Sequence, residues 1–102
     1  MHYLLFYEAV ENYAERRKPF RSAHLSYAQE AQKRGDLLLA GAFANPVDGA
    51  VLLFQGDTQD VAVTFAKSDP YVRNGLITRW YVREWTTVVG ENAAVTLPPE
   101  SH

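Results

Sequence analysis

The sequence predicts a single α+β domain in the order βαββαβ, a four-stranded antiparallel sheet with two helices on one face. Three observations predict it. Four short runs of apolar and β-forming residues alternate, in that order, with two stretches of helical composition. Clusters of Gly, Pro, Asn and Asp punctuate the boundaries between them. The chain has 102 residues and no cysteine, which is one domain's length, with a thin core and no disulfide or thiolate metal site to staple it.

Tyr3 to Tyr7 is aromatic or aliphatic at every position and short, as a strand apolar on both faces would be. Val10 to Arg17 is polar and reads as a helical turn or a loop. Pro19 suits the first turn of a helix, where its missing N–H costs nothing. Phe20 to Arg34 holds neither Gly nor Pro, is rich in Ala, Gln and Glu, and stops at Gly35. Phe20, His24, Tyr27 and Ala31 fall on one stripe of that helix with Ala23 and Ala28 beside it, so His24 points at whatever the helix packs on.

Leu37 to Ala40 is a second strand, closed by Gly41. Asn45-Pro46-Val47-Asp48-Gly49 is a turn, and Ala50 to Phe54 is a third strand, which makes an antiparallel hairpin. Gly56 breaks it. Asp57 is placed to cap a helix from Thr58 to about Lys67 with Val61, Ala62 and Phe65 on its apolar side. Asp69-Pro70-Tyr71-Val72-Arg73-Asn74-Gly75 carries a cap, a first-turn proline and a terminating glycine within one short element. Ile77 to Trp85 is the fourth strand, rich in β-formers, and Val88 and Val89 leave room to extend it. The domain therefore spans residues 1–90. Residues 91–102, with Pro98-Pro99 and His102, read as a C-terminal tail.

That order is the ferredoxin-like arrangement of two split βαβ halves. Helices cover one face of such a sheet, so the other should alternate with polar residues in a monomer. The first strand has almost no polar position, and the last places Trp80 and Val82 on one side against Ile77, Tyr81 and Trp85 on the other. An aromatic face of that size predicts a homodimer closed through the sheets.

The net charge of -2 and pI near 5.9 argue against a nucleic-acid partner, whose footprint would be a basic face. Arg16, Arg17, Lys18 and Arg21 form a basic cluster after Glu8, Glu11 and Glu15, and read as a solvated, salt-linked surface. No apolar run approaches the roughly 20 residues that span a bilayer. The first residues lack a basic flank and a small-residue cleavage site, so no membrane partner and a cytoplasmic location are expected.

Of three histidines, His2 and His102 sit at the ends of the chain. No HxH or HxxxH spacing appears, so neither a metal nor another cofactor is expected. His24 lies mid-helix on the packed face. One reading makes it a half-buried histidine bonded to a backbone carbonyl. The other makes it a general acid–base, since imidazole titrates nearest neutral pH. Such a base needs an orienting acceptor, and Asp69 leaves the second helix on the same side of the sheet. Asp69 is equally well read as a helix cap, and its two carboxylate oxygens allow both roles.

Arg21-Ser22-Ala23-His24-Leu25, Gly35-Asp36-Leu37-Leu38-Leu39-Ala40-Gly41 and Asp69-Pro70-Tyr71-Val72 with Gly75 together resemble the YciI-like (YCII-related) proteins. There an R-x-x-H-L helix, a G-x-L-x-x-A-G segment and a D-P-Y-x-x-x-G turn follow one another at similar separations. The resemblance covers roughly residues 1 to 86. It implies a ferredoxin-like fold, generally dimeric, related to the dimeric α+β barrels whose sheets close face to face. It also implies an active site centred on His24 and Asp69, in a family that includes dehydrochlorination of chlorinated hydroxyquinols. Where the family often has proline after A-G, this chain has Ala42-Phe43.

The expectation is thus proton transfer, an elimination or isomerisation by a lyase or isomerase, at a small cyclic or aromatic substrate. His24 is the base, Asp69 fixes its tautomer, Arg21 holds an anionic group, and Tyr71 and Phe43 line an apolar pocket. The alternative is a non-catalytic dimer domain that binds a small molecule.

Overall fold

The computed structural model describes residues 1–95; the Pro98-Pro99 and His102 part of the expected tail lies outside the described residues. Four strands, β1 (His2–Ala9), β2 (Leu37–Ala42), β3 (Gly49–Gln55) and β4 (Ile77–Trp85), form one antiparallel sheet in the order β2-β3-β1-β4. Four helices join them: α1 (Tyr13–Arg16), α2 (Arg21–Lys33), α3 (Asp60–Ser68) and α4 (Pro70–Arg73), with a 3₁₀ turn at Lys18–Phe20. This is the ferredoxin-like α+β architecture.

Alternation along the strands assigns the two faces. Tyr3, Leu5 and Tyr7 of β1 and Ala50, Leu52 and Phe54 of β3 are buried, and α2 and α3 cover them through Ala28, Ala31, Ala62, Phe65 and Ala66. The alanines let the helix backbones come close to the sheet. The register puts Leu5 opposite Leu52 and Val82 on this face, and Leu4 opposite Leu53 and Arg83 on the other. On that open face Leu4, Phe6, Val51 and Leu53 are only half covered, and Leu39 is 73% exposed.

Local chemistry sets the boundaries. Gly35, at φ +86°, takes the left-handed conformation that lets Asp36 N–H reach Ala31 O and close α2. Asp69 caps α4, its side chain accepting from Tyr71 N–H. Asp57 does not cap α3. The helix starts at Asp60, whose N–H donates to Thr58 Oγ1, because residues 57–59 are used in the bend out of β3. Ala23 is exposed rather than flanking the packed stripe, and β2 runs through Gly41 to Ala42. β4 ends at Trp85; Val88 and Val89 do not extend it, and Thr87 instead ties the chain back through Ala94 N–H and Val95 N–H.

A second, smaller cluster of Tyr13, Tyr71 and Leu76, with Val10 and Phe20 against it, fills the corner between α1, α4 and the end of β1. It brings the start of α2 and the start of α4 to one place.

Candidate active site

His24 and Asp69 meet in that corner. His24 projects from the second turn of α2 and Asp69 stands at the start of α4, 45 residues later in the chain. Nδ1 of His24 lies 2.7 Å from Oδ1 of Asp69. The carboxylate is fully buried and collects three donors: His24 Nδ1–H, Tyr71 N–H at 3.0 Å on the same Oδ1, and the Tyr7 hydroxyl at 2.6 Å on Oδ2. The cap and the histidine contact therefore coexist, but on one oxygen; the other goes to a tyrosine.

A carboxylate accepts only, so its neighbour Nδ1 must carry the proton. Nε2 is then the lone-pair nitrogen, and no protein group among the described residues bonds to it. The His24 side chain is 14% exposed and lines a cavity. Its ring stacks on Tyr71 at 3.8 Å and 6°, and Tyr71 in turn meets Tyr13 edge-on at 5.8 Å. The imidazole is thus fixed in tautomer by Asp69 and in plane by Tyr71.

Burial, and after it the Asp69 charge and hydrogen bond, push the Tyr7 phenol far above its ordinary pKa, so Tyr7 stays a donor to the carboxylate. Burial also raises Tyr71, against the lowering influence of Arg17 and Arg21.

The cavity has a volume of about 240 Å³ and lies between α2, β2, β3 and the Tyr13–Tyr71 corner. A cavity of ~150 Å³ already takes up benzene, so this one has room for a substituted single ring. Its polar wall is Tyr7, Tyr13, Arg17, Arg21, His24 and Tyr71; Ala28, Ala40, Ala50 and Leu52 supply the apolar wall. A larger concavity, about 580 Å³, lies on the open sheet face, where Leu4, Phe6 and Leu53 are among its lining and no charged side chain converges. Chemistry needs convergent polar groups, and of these two cavities it is the first that has them. Among the described residues no three His, Cys, Asp or Glu side chains come together as a metal-ligand set.

Arg21 and Tyr71 line the cavity with His24. Phe43 does not. Alternation along β2 carries its side chain to the open face, where it packs over Gly49 and borders the other concavity. The basic cluster also divides. Lys18 pairs with Glu15 in solvent, as a salt-linked surface does, while Arg17 and Arg21 turn into the cavity and Arg17 lies 5.2 Å over the Tyr13 ring.

Sequence reasoning missed Tyr7, Tyr13 and Arg17. A signal for two of them exists: Tyr13, Arg17, Arg21, His24 and Ala28 recur at helical spacing straight across Pro19, and the 3₁₀ turn preserves that stripe. For Tyr7 the signal is a core-facing tyrosine, whose hydroxyl needs a buried partner.

A family model, the YCII-related domain, matches residues 1–86. No curated protein matches the chain by sequence. Among solved structures, 5-chloro-2-hydroxyhydroquinone dehydrochlorinase from Burkholderia phenoliruptrix, in complex with 2,5-dihydroxybenzoquinone, is similar with a TM-score of 0.73 and 19% identity over 86% of this chain and 96% of that one. A NIPSNAP family protein from Agrobacterium tumefaciens has a TM-score of 0.56 at 12% identity, covering 93% and 97% of the two chains. Protein Atu4242 of the same organism has 0.56 at 13%, covering 94% and 100%. At these identities the likeness is one of fold.

Proposed function

The chain belongs to the YCII-related family, and from that premise we propose that it is a small-molecule enzyme in which His24 and Asp69 act as an acid–base pair. The observation that supports this most is the 2.7 Å contact between His24 Nδ1 and Asp69 Oδ1, with Nε2 left to the cavity. Nε2 takes a proton from a small cyclic or aromatic substrate. The electron pair released expels a leaving group (elimination) or shifts along the ring (isomerisation). Asp69 stabilises the imidazolium that forms, and the proton is then returned to product or solvent. Arg21 holds an anionic substituent, and the Tyr71 ring forms a wall. Elimination is the favoured variant, because a dehydrochlorinase shares the fold over 86% of this chain.

The working unit is a homodimer closed through the open sheet faces. Leu39, Phe43 and Trp85 are exposed there beside half-covered Leu4, Phe6, Val51 and Leu53. A contiguous apolar patch of this kind on one side of a sheet is the mark of an interface.

Chloride release from a chlorinated hydroxyquinol tests the enzyme reading. His24→Asn is expected to lower kcat by about 10²–10⁴ with little change in KM. Asp69→Asn is expected to lower kcat in the same direction and to move the neutral imidazole proton from Nδ1 to Nε2, read from ¹⁵N shifts. Full turnover by His24→Asn would sink the proposal. Lost affinity with no turnover in any variant would make the cavity a binding site only.

A further inference from the structure

The cavity holds one polar atom that the acid–base pair does not use. The Tyr71 hydroxyl is buried and is the single buried side-chain N or O atom among the described residues without a hydrogen-bond partner. Native structures rarely leave such a group unpaired, and each case calls for an explanation. Rotation offers no escape. The ring is clamped between His24, stacked at 3.8 Å, and Tyr13, edge-on at 5.8 Å.

The groups around it are donors as well. The Arg21 guanidinium lies near enough to act on the phenol both by its charge and as a donor toward the phenol oxygen, though outside strict hydrogen-bond geometry; it can only donate, so the phenol O–H is still left without an acceptor. Arg17 acts on it in the same sense from the end of α1. Among the described residues neither guanidinium has a carboxylate within ion-pair distance; the acidic partners are taken by Lys18, His24, Arg34 and Arg79. Asp69, whose charge acts on the Tyr71 phenol, already has its oxygens occupied by Tyr7, His24 and the Tyr71 N–H. One phenol and two guanidiniums thus line the cavity beside His24 with no carboxylate paired to either guanidinium or to the phenol hydroxyl. His24, Tyr13 and Tyr7 are the other titratable groups on this wall besides the two arginines, and burial raises both tyrosines, keeping them protonated.

We infer that the Tyr71 hydroxyl and Arg21, backed by Arg17, form a seat for an ionised oxygen on a single-ring ligand, so that the site selects the deprotonated form of its substrate. The ligand class is a planar ring bearing phenolate, enolate or carboxylate oxygen, which a 240 Å³ cavity admits. An ionised oxygen accepts from both a phenol and a guanidinium, and such charge-assisted bonds are roughly twice as strong as neutral ones. The inference rests on the cavity being a ligand site and sharpens the chemistry proposed there. With one oxygen already ionised in the seat, the proton that His24 takes is a second one, from ring carbon or another hydroxyl.

4-Nitrophenol is the probe, because its absorbance reports its own ionisation and it ionises near neutral pH. It is titrated into the wild type, Tyr71→Phe, Arg21→Gln and His24→Asn from mildly acid to mildly alkaline pH. The expected result is a bound probe that ionises at lower pH than the free one. Affinity for the phenolate should fall roughly tenfold to a hundredfold in Tyr71→Phe and in Arg21→Gln. The shift should survive in His24→Asn. No saturable binding, an unchanged ionisation midpoint, or equal phenolate affinity in Tyr71→Phe would overturn the seat. Thermal melting checks that Tyr71→Phe is folded; if it is not, the exposed Arg21→Gln decides alone. A preserved ionisation shift together with His24-independent turnover would overturn the acid–base reading and leave the seat standing.

Discussion

Tyr7 makes the buried carboxylate tolerable, and this has a consequence for stability. Among the described residues its hydroxyl supplies the sole hydrogen bond to Asp69 Oδ2. Removing it in Tyr7→Phe leaves a buried acceptor unpaired, at a cost of about 1–3 kcal/mol near neutral pH. The Tyr7 pKa is raised in the fold from its ordinary 10.0, first by burial and then by Asp69. A raised phenol keeps its proton when folded and loses it when unfolded above about pH 10. The folded state then binds more protons, so this contribution is complete below that pH and declines above it, by ~1.4 kcal/mol per pH unit for one proton. Urea unfolding of wild type and Tyr7→Phe at about pH 9 and about pH 11 checks it. The gap between the two proteins should narrow at the higher pH, since the other tyrosines cancel in the comparison. An unchanged gap would mean that Tyr7 titrates normally in the fold.

At the scale of elements, the site depends on how β1 and β3 approach each other beside Tyr7. Gly49 pairs with Glu8 at the start of β3, and a Cβ there would sit 2.3 Å from the Tyr7 carbonyl oxygen. Backbone cannot give way as a side-chain tip can. Gly49→Ala is therefore expected to cost about 1–3 kcal/mol, as overpacking does, read as a lowered urea midpoint. Because the clash falls on the residue that supports Asp69, kcat should drop as well. Wild-type stability in this variant would show that the end of β3 is free to shift. Glycine at position 41 is different: nothing lies within 4 Å of its Cβ direction, so side chains are tolerated there in the isolated chain.

For the whole molecule, the open sheet face is the feature that a monomer leaves unexplained. The helix face is closed by α2 and α3, but the opposite face shows apolar side chains from all four strands, including Leu39 at 73% exposure. Leu39→Glu combined with Leu53→Glu places charges there and touches neither the cavity nor the helix-side core. In sedimentation the wild type is expected at twice the 11.5 kDa chain mass and the double variant at the chain mass, still folded. A monomeric wild type would remove the dimer from the proposal and leave the apolar face without a role.

The order and type of every strand and of the main helices follow from the sequence itself. Strand composition at Tyr3 to Tyr7 and Ile77 to Trp85, the stop at Gly35 and the Asp69-Pro70 cap are settled among residues a few positions apart. So is the face of α2 that His24 occupies. Tertiary structure decided what those faces meet. His24 and Asp69 come together across 45 residues and Tyr7 joins them across 62. Arg17 and Arg21 leave a solvated cluster for the cavity, and Phe43 falls on the opposite side of the sheet. Such contacts depend on strand register and helix placement, where a slip of one residue exchanges the two faces of a strand. Periodicity along the chain encodes which side chains share a face, and only packing of the assembled elements chooses their partners.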